Sequence, residues 1–249
     1  MLYDRLINRL HNRVRMLSPR HAYQAWANSY DQRENNALLH AEEKALVPLL
    51  DAVNLSGKDV IDFGCGTGRY LSRCCGRNAR SIVGVDFSHE MLARASQKSS
   101  LSEQIVLLEA SVESLPFRDA QFDVALSTLV LSHCAKLFVP LAEIARVLRP
   151  GATLLVSDWH PENDRRGWKR IFEVRSADGS RIRYAAKSYH HSLAEYRRQF
   201  LNHGFVVEQV HEPVIDDSLE PMFRRTNMMK VFHQYAGSPL AVIFALRKG

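Results

Sequence analysis

The run Val60-Ile61-Asp62-Phe63 reads as a buried strand, and it breaks into Gly64-Cys65-Gly66-Thr67-Gly68 before a helix-forming stretch opens at Arg69. No other feature constrains the chain as strongly. A strand, a glycine turn and a helix in that order let a ligand approach the backbone, and side chains at those glycines would fill the space it needs. The spacing is G-x-G-x-G, whereas a dinucleotide-binding turn reads G-x-G-x-x-G. A cofactor without a pyrophosphate is therefore the better expectation.

Around this turn, short β-branched or apolar runs alternate with helix-like stretches. Strands are expected over residues 60–63, 81–86, 105–109, 124–127 and 153–158, with helices over 69–75, 90–98 and 138–148. That alternation implies a parallel sheet with helices on both faces. At the front, Leu2, Leu6, Leu10, Val14 and Leu17 recur at helical spacing. Ser18-Pro19 then supplies an N-cap and a first-turn proline for a second helix, and residues 37–50 read as a third. Beyond residue 158 the pattern changes. Runs at 171–175 and 180–184 flank Ala177-Asp178-Gly179, a hairpin signal. A helix over 193–203 ends at Gly204, and strands follow at 205–211 and 240–246. Residues 213–239 are the least readable part.

With 249 residues, 46% of them hydrophobic, the chain can bury one large α/β core. No apolar run approaches bilayer length and the first residues lack a signal-peptide core, so a cytoplasmic protein is expected. Cys65, Cys74, Cys75 and Cys134 have neither disulfide nor zinc spacing and read as reduced thiols. The net charge of +6 is unevenly placed. Residues 1–30 hold five arginines against Asp4, and residues 159–203 hold ten Lys or Arg against five Asp or Glu, while the remainder is slightly acidic. Positive charge on segments flanking the core favours an anionic substrate or carrier.

Asp62-Phe63-Gly64-Cys65-Gly66-Thr67-Gly68 resembles the cofactor loop of the class I S-adenosylmethionine-dependent methyltransferases. Three further blocks match that family in order: Ile82-Val83-Gly84-Val85-Asp86-Phe87-Ser88, Glu113-Ser114-Leu115-Pro116-Phe117, and Phe122-Asp123-Val124-Ala125-Leu126-Ser127 through Leu148-Arg149-Pro150-Gly151-Ala152. The resemblance is clear over roughly residues 20 to 160. It implies a Rossmann-like three-layer α/β/α sandwich with a seven-stranded, mostly parallel sheet and an antiparallel last strand. The expected single methyltransferase domain spans 1–249, with a helical cap at 1–50, a cofactor core at 51–158, a hairpin lid inserted at 159–192 and the rest of the sheet at 193–249. S-adenosyl-L-methionine is the implied cofactor. The implied reaction is in-line methyl transfer to a small acceptor, acidic or held on an acyl carrier.

The resemblance also implies roles. Asp62, Gly64, Cys65 and Gly66 would line the methionine part of the cofactor, with the Asp62 carboxylate facing the α-amino group. Asp86, twenty residues after Gly66, would accept hydrogen bonds from the ribose hydroxyls. Phe87 and Met91 would pack on adenine, and Ser127, at the end of the fourth strand, would also line the cofactor. Family members often carry an acidic residue where this chain has Ser111, so the adenine partner would be the Ser111 oxygen or the Val112 backbone N–H. Tyr23, Trp26, Tyr30 and Asp31 resemble the family's aromatic lid, with Tyr30 as its working residue. His133 and His160 are the candidate bases, because histidine accepts protons near neutral pH. Tyr189, His190 and His191 lie in the insertion. No histidine pattern calls for a metal. A nicotinamide dehydrogenase is disfavoured by the glycine spacing. RNA methylation rests on basic charge alone, with no RNA-binding module in the sequence. A cofactor-binding protein without turnover is the remaining alternative.

Overall fold

A computed structural model describes residues 14–31, 36–98, 105–175 and 179–249. Its strands are β1 (Arg15–Leu17), β2 (Asp59–Phe63), β3 (Ser81–Asp86), β4 (Ile105–Glu109), β5 (Phe122–Thr128), β6 (Leu148–Trp159), β7 (Ile171–Arg175), β8 (Arg181–Ala186), β9 (Phe205–His211) and β10 (Ala241–Lys248). Its helices are α1 (Pro19–Trp26), α2 (Ala37–Ala52), α3 (Leu71–Cys74), α4 (His89–Ser96), α5 (Phe138–Val147), α6 (Pro161–Arg165), α7 (Leu193–Asn202), α8 (Glu220–Arg225) and α9 (Met229–Tyr235).

Seven strands form the main sheet in the order β4-β3-β2-β5-β6-β10-β9. All pairs are parallel except those of β10, which runs antiparallel to both β6 and β9. Because side chains alternate across a strand, β2 reaches both apolar layers. Val60 joins Leu46 and Leu50 of α2, while Ile61 and Phe63 join Leu141 and Ile144 of α5 on the other face. From β2 the chain winds outward through β3 and β4, then returns to the other side of β2 as β5. Strand order reverses at that point, and a crevice opens beyond the carboxyl ends of β2 and β5.

The expected helix through residue 17 is corrected at its end. Arg15–Leu17 forms β1, paired in parallel with β8 from Arg15 against Tyr184 to Leu17 against Ala186. A free strand edge on the inserted hairpin overrides the helical spacing of Val14 and Leu17. Leu2, Leu6 and Leu10 lie outside the described residues. The next helix starts as the sequence implies: Ser18 Oγ accepts the His21 N–H at 3.4 Å, and Pro19 occupies the first turn of α1. The hairpin forms too, with β7 antiparallel to β8 and Gly179 at φ +80, although Ala177 and Asp178 lie outside the described residues. Together β1, β8 and β7 make a second, three-stranded sheet. It packs on α1 through Phe172, Ala186, Tyr23 and Ala22.

Glu42 links three parts of the cofactor half. It is fully buried on α2, where it takes an ion pair from Arg69 (Nη1 to Oε2, 2.7 Å) and hydrogen bonds from Tyr70 (2.7 Å) and Ser157 of β6 (2.6 Å). Removing one member of a buried pair leaves the other charge without compensation, at a cost of about 3–5 kcal/mol. Urea unfolding of Glu42→Ala is expected to show a loss of that order. Glu42→Gln keeps the shape and two acceptor contacts, and should lose less.

Candidate active site

The two ends of the sheet treat buried carboxylates differently. At the amino end, Asp59 receives Arg80, Ser81 Oγ at 2.7 Å and Arg149 Nη2 at 3.1 Å, and Asp123 takes Arg149 Nη1 at 2.6 Å. The Arg80 hydrogen bond holds the Asp59 carboxyl well below the usual range, against the effect of burial. At the carboxyl end of β2, both oxygens of Asp62 are buried with no hydrogen-bond partner. Burial, with Asp86 and Glu42 adding repulsion and Arg69 opposing, pushes the Asp62 carboxyl up to about 8. Buried polar groups are normally satisfied, so an unpartnered carboxyl beside a glycine turn is a candidate to receive a donor from outside the chain.

The turn is held by its neighbour strand. Cys65 N–H donates to the Val85 carbonyl (2.9 Å), and Gly66 N–H donates to Asp86 Oδ2 (2.9 Å). The other Asp86 oxygen takes the Ser88 N–H at 2.8 Å, just before α4. Burial raises the Asp86 carboxyl to about 6, and these backbone N–H groups limit the rise. Gly64 sits at φ +68, and a Cβ there would lie 2.3 Å from Val130 Cγ2. Gly66 sits at φ +54 with nothing within 4 Å of its Cβ position. The first glycine is required by packing, and the second leaves an open cradle. Thr67 Oγ1 donates to Asp31 Oδ1 at 2.8 Å, and Lys98 pairs with Asp31 at 2.9 Å. These contacts seat the segment after α1 on the turn.

A cavity of ≈ 250 Å³ opens above this turn. Gly64, Gly66, Asp86, Phe87, Ser111 and Val112 line it, as do Tyr30 and His133. The structure therefore brings together most of the residues singled out in the sequence. It places five elsewhere. Asp62 is buried and does not line the cavity. Cys65 points its sulfur toward Gly84, and burial raises its thiol well above the ordinary range. Met91 is fully buried in the cluster under α1, so its expected place on a ligand ring gives way to core packing. Ser127 is fully buried, its hydroxyl unpartnered. His160 does not line this cavity. Its Nδ1 accepts the Glu162 N–H (3.2 Å) as the N-cap of α6, and its Nε2 donates to Glu212 (3.1 Å). Both ring nitrogens are thus occupied, which removes the geometric basis for His160 as a base.

His133 reaches the cavity, but its lone pair is also taken. Nδ1 lies 2.8 Å from the Lys187 carbonyl, which can only accept, so the proton sits there. Nε2 is then the acceptor for Tyr23 O–H at 2.8 Å and for Arg170 Nη1 at 3.2 Å. Burial and the Arg170 charge push His133 down to about 3, so it is neutral at physiological pH. Burial raises the Tyr23 phenol, which stays protonated. Ser111 Oγ accepts the Glu113 N–H at 3.2 Å, giving the loop over the cavity a fixed turn.

Sequence reasoning missed Arg170, because nothing in its spacing marks it. It also missed a second chamber of ≈ 390 Å³ on the far side of Tyr30, which lines both spaces. The walls of that chamber come from α1, the start of α2, the stretch after β6 and α8. Among the described residues, no three His, Cys, Asp or Glu side chains gather as a metal site, and no helix is long and apolar enough to cross a membrane.

A family model described as a methyltransferase domain matches residues 61–156, the span from β2 to β6. A malonyl-[acyl-carrier protein] O-methyltransferase of Serratia marcescens is 30% identical over 144 residues, covering 55% of each chain. Its counterpart in Enterobacter lignolyticus is 32% identical over 172 residues, covering 68% of this chain and 64% of that one. The chain thus spans between 55% and 64% of the length of these curated relatives. A crystal structure of a putative S-adenosylmethionine-dependent methyltransferase from Listeria monocytogenes superposes with a TM-score of 0.64 at 19% identity, over 85% of this chain and 99% of that one, a likeness of fold. The cofactor loop, the strand order and the matched span agree: residues 61–156 carry a methyltransferase domain, set in a fold shared with S-adenosylmethionine-dependent methyltransferases.

Proposed function

We propose that this chain transfers a methyl group from S-adenosylmethionine to a small acceptor bearing negative charge. The observation that carries this reading is the pair of carboxylates at the sheet's switch point: Asp86, which shapes the cavity, and Asp62, which is buried without a partner. When bound, the cofactor supplies a methyl on a sulfonium, so the protein has mainly to bind, orient and exclude water.

The residues fit that group. The open cradle at Gly66 admits a ligand against the backbone. Asp86 would accept from the ribose hydroxyls, and Asp62 would take the α-ammonium directly or through water. Phe87, Ser111 and Val112 line the adenine end. Tyr30 stands between the two spaces, where it can close the cofactor off from solvent. His133, neutral and doubly engaged, holds Tyr23 and Arg170 in place. An acceptor that is already nucleophilic, such as a carboxylate, needs no base. The basic excess over residues 159–203 supports an acidic acceptor, free or on an acyl carrier, and the names of the two curated relatives support the carrier form.

Calorimetric titration with S-adenosylhomocysteine tests the cofactor. Saturable binding is expected, with no binding of NADH. Asp86→Ala should weaken it by at least about tenfold, the scale of one charge-assisted hydrogen bond. Failure of the native chain to bind would sink the proposal.

The Asp62 proton makes a separate prediction. Its folded-state pKa, about 8, lies above that of an unfolded aspartate. The fold therefore holds a proton that the unfolded chain releases near pH 4. The stability gained is fully present below that pH and is lost as pH rises through about 8, at up to about 1.4 kcal/mol per pH unit. Asp62→Asn should abolish the decline above pH 6 and about halve its slope between pH 4 and 6, where Asp86 contributes as well, as measured by urea midpoints across pH 4–9. In the native chain, binding the ligand's ammonium should release a proton near neutral pH, read from the dependence of binding heat on buffer ionisation enthalpy.

A further inference from the structure

We propose that the second chamber is an acceptor site for an amphiphilic carboxylic acid, whose carboxylate is held by Arg170. The inference rests on the methyltransferase reading for the word acceptor, and on the chamber itself for the chemistry. At ≈ 390 Å³ the chamber is within the range of small-molecule sites, about 300–1,000 Å³. Its walls are chiefly aromatic and aliphatic, among them Trp159, Trp168, Met222 and Phe223. Lys169 and Arg170 line it, and no Asp or Glu does among the described residues. Such a lining rejects a cation and accepts an apolar body with an anionic end.

Arg170 carries the argument further. Its side chain lines the chamber, while its guanidinium donates to the Leu129 carbonyl (3.4 Å), to His133 Nε2 (3.2 Å) and to Tyr23 Oη. Those three residues line the cofactor cavity, so the cationic head lies in the partition between the two spaces. A guanidinium has five N–H donors, and these contacts use three of them. No carboxylate of a described residue pairs with it. Asp158, whose charge it feels, is committed to the N–H groups of Ser132 (2.6 Å) and Trp159 (2.7 Å) and to Tyr196 O–H (2.8 Å). Tyr23 remains a phenol and His133 a neutral imidazole, so neither cancels the charge. A half-buried arginine held by neutral partners, with donors to spare, suits the fork-to-fork geometry of a carboxylate.

The three tryptophans of the chain, Trp26, Trp159 and Trp168, all line this chamber, so intrinsic fluorescence reads its occupancy. The probes are octanoate and 4-phenylbutyrate against octanamide, with S-adenosylhomocysteine titrated in parallel by calorimetry. A saturable fluorescence change with the acids is expected, at least about tenfold tighter than with the amide, the scale of one charge-assisted hydrogen bond. Arg170→Gln should bring the acids to the level of the amide, a larger loss than any it causes in S-adenosylhomocysteine affinity. Equal affinity for acid and amide, or no saturable change at millimolar ligand, overturns the proposal on the native chain even where Arg170→Gln does not fold. Weakened S-adenosylhomocysteine binding in Arg170→Gln with acid binding intact also overturns it, since Arg170 then serves the cofactor's own carboxylate. If the native chain binds acids but not S-adenosylhomocysteine, the methyltransferase reading fails and the acid site stands.

Discussion

The turn after β2 is held from β3, and the rest of the site depends on that hold. Cys65 N–H reaches the Val85 carbonyl while Gly66 N–H reaches the Asp86 carboxylate, so one strand fixes two successive residues of the turn. The same carboxylate takes the Ser88 N–H and thereby sets the start of α4. One aspartate thus fixes the turn, the next helix and the cavity between them. A carboxylate so engaged, at a depth where burial opposes its charge, is placed for a ligand that can donate to it.

Asp59 and Asp62 stand three residues apart on β2 and meet opposite treatment. The first is surrounded by arginines at the amino end of the sheet, and the second is left without a partner at the carboxyl end. A stability argument would pair both. Leaving one unpaired costs the free chain stability, and in the proposed complex a ligand's ammonium would return that cost. The molecule therefore separates its work by sheet end, with binding where the strands stop and the winding reverses.

What the sequence makes legible follows from where its signals are local. The strand-turn-helix pattern, Asp86 and the alternation of β2 through β6 are short-range features, and each stands where the sequence places it. Position in chain alone misleads for Met91 and His160. Met91 falls on the inward face of α4 and joins the core, while His160 caps α6 with both nitrogens spent. Val14 and Leu17 carry helical spacing, but the edge of β8 recruits Arg15–Leu17 as a strand. The second chamber was illegible for a stronger reason. Its walls combine α1, α2, the stretch after β6 and α8, which share no sequence pattern and meet only in the fold. Residues 213–239, unreadable by periodicity, supply one of those walls through α8 and the turn after it.

Arg170 shows how a functional candidate can leave no trace in a sequence. It is one of ten basic residues between 159 and 203, and composition cannot tell it from the others. Position can. Arg165 and Arg198 pair with carboxylates on their own helices, and Arg183 pairs with Glu173 across the hairpin. Surface pairs of that kind contribute little and select nothing. Arg170 instead turns inward to two neutral side chains and a carbonyl, where its charge is screened little and matched by no neighbour. The positive character of the insertion thus has two parts: an outer set only partly paired at the surface, and one inner cation held by neutral side chains. In the proposed acid site, an anion attracted to the basic outer surface would reach, at the partition beside the cofactor cavity, a cation held by neutral side chains.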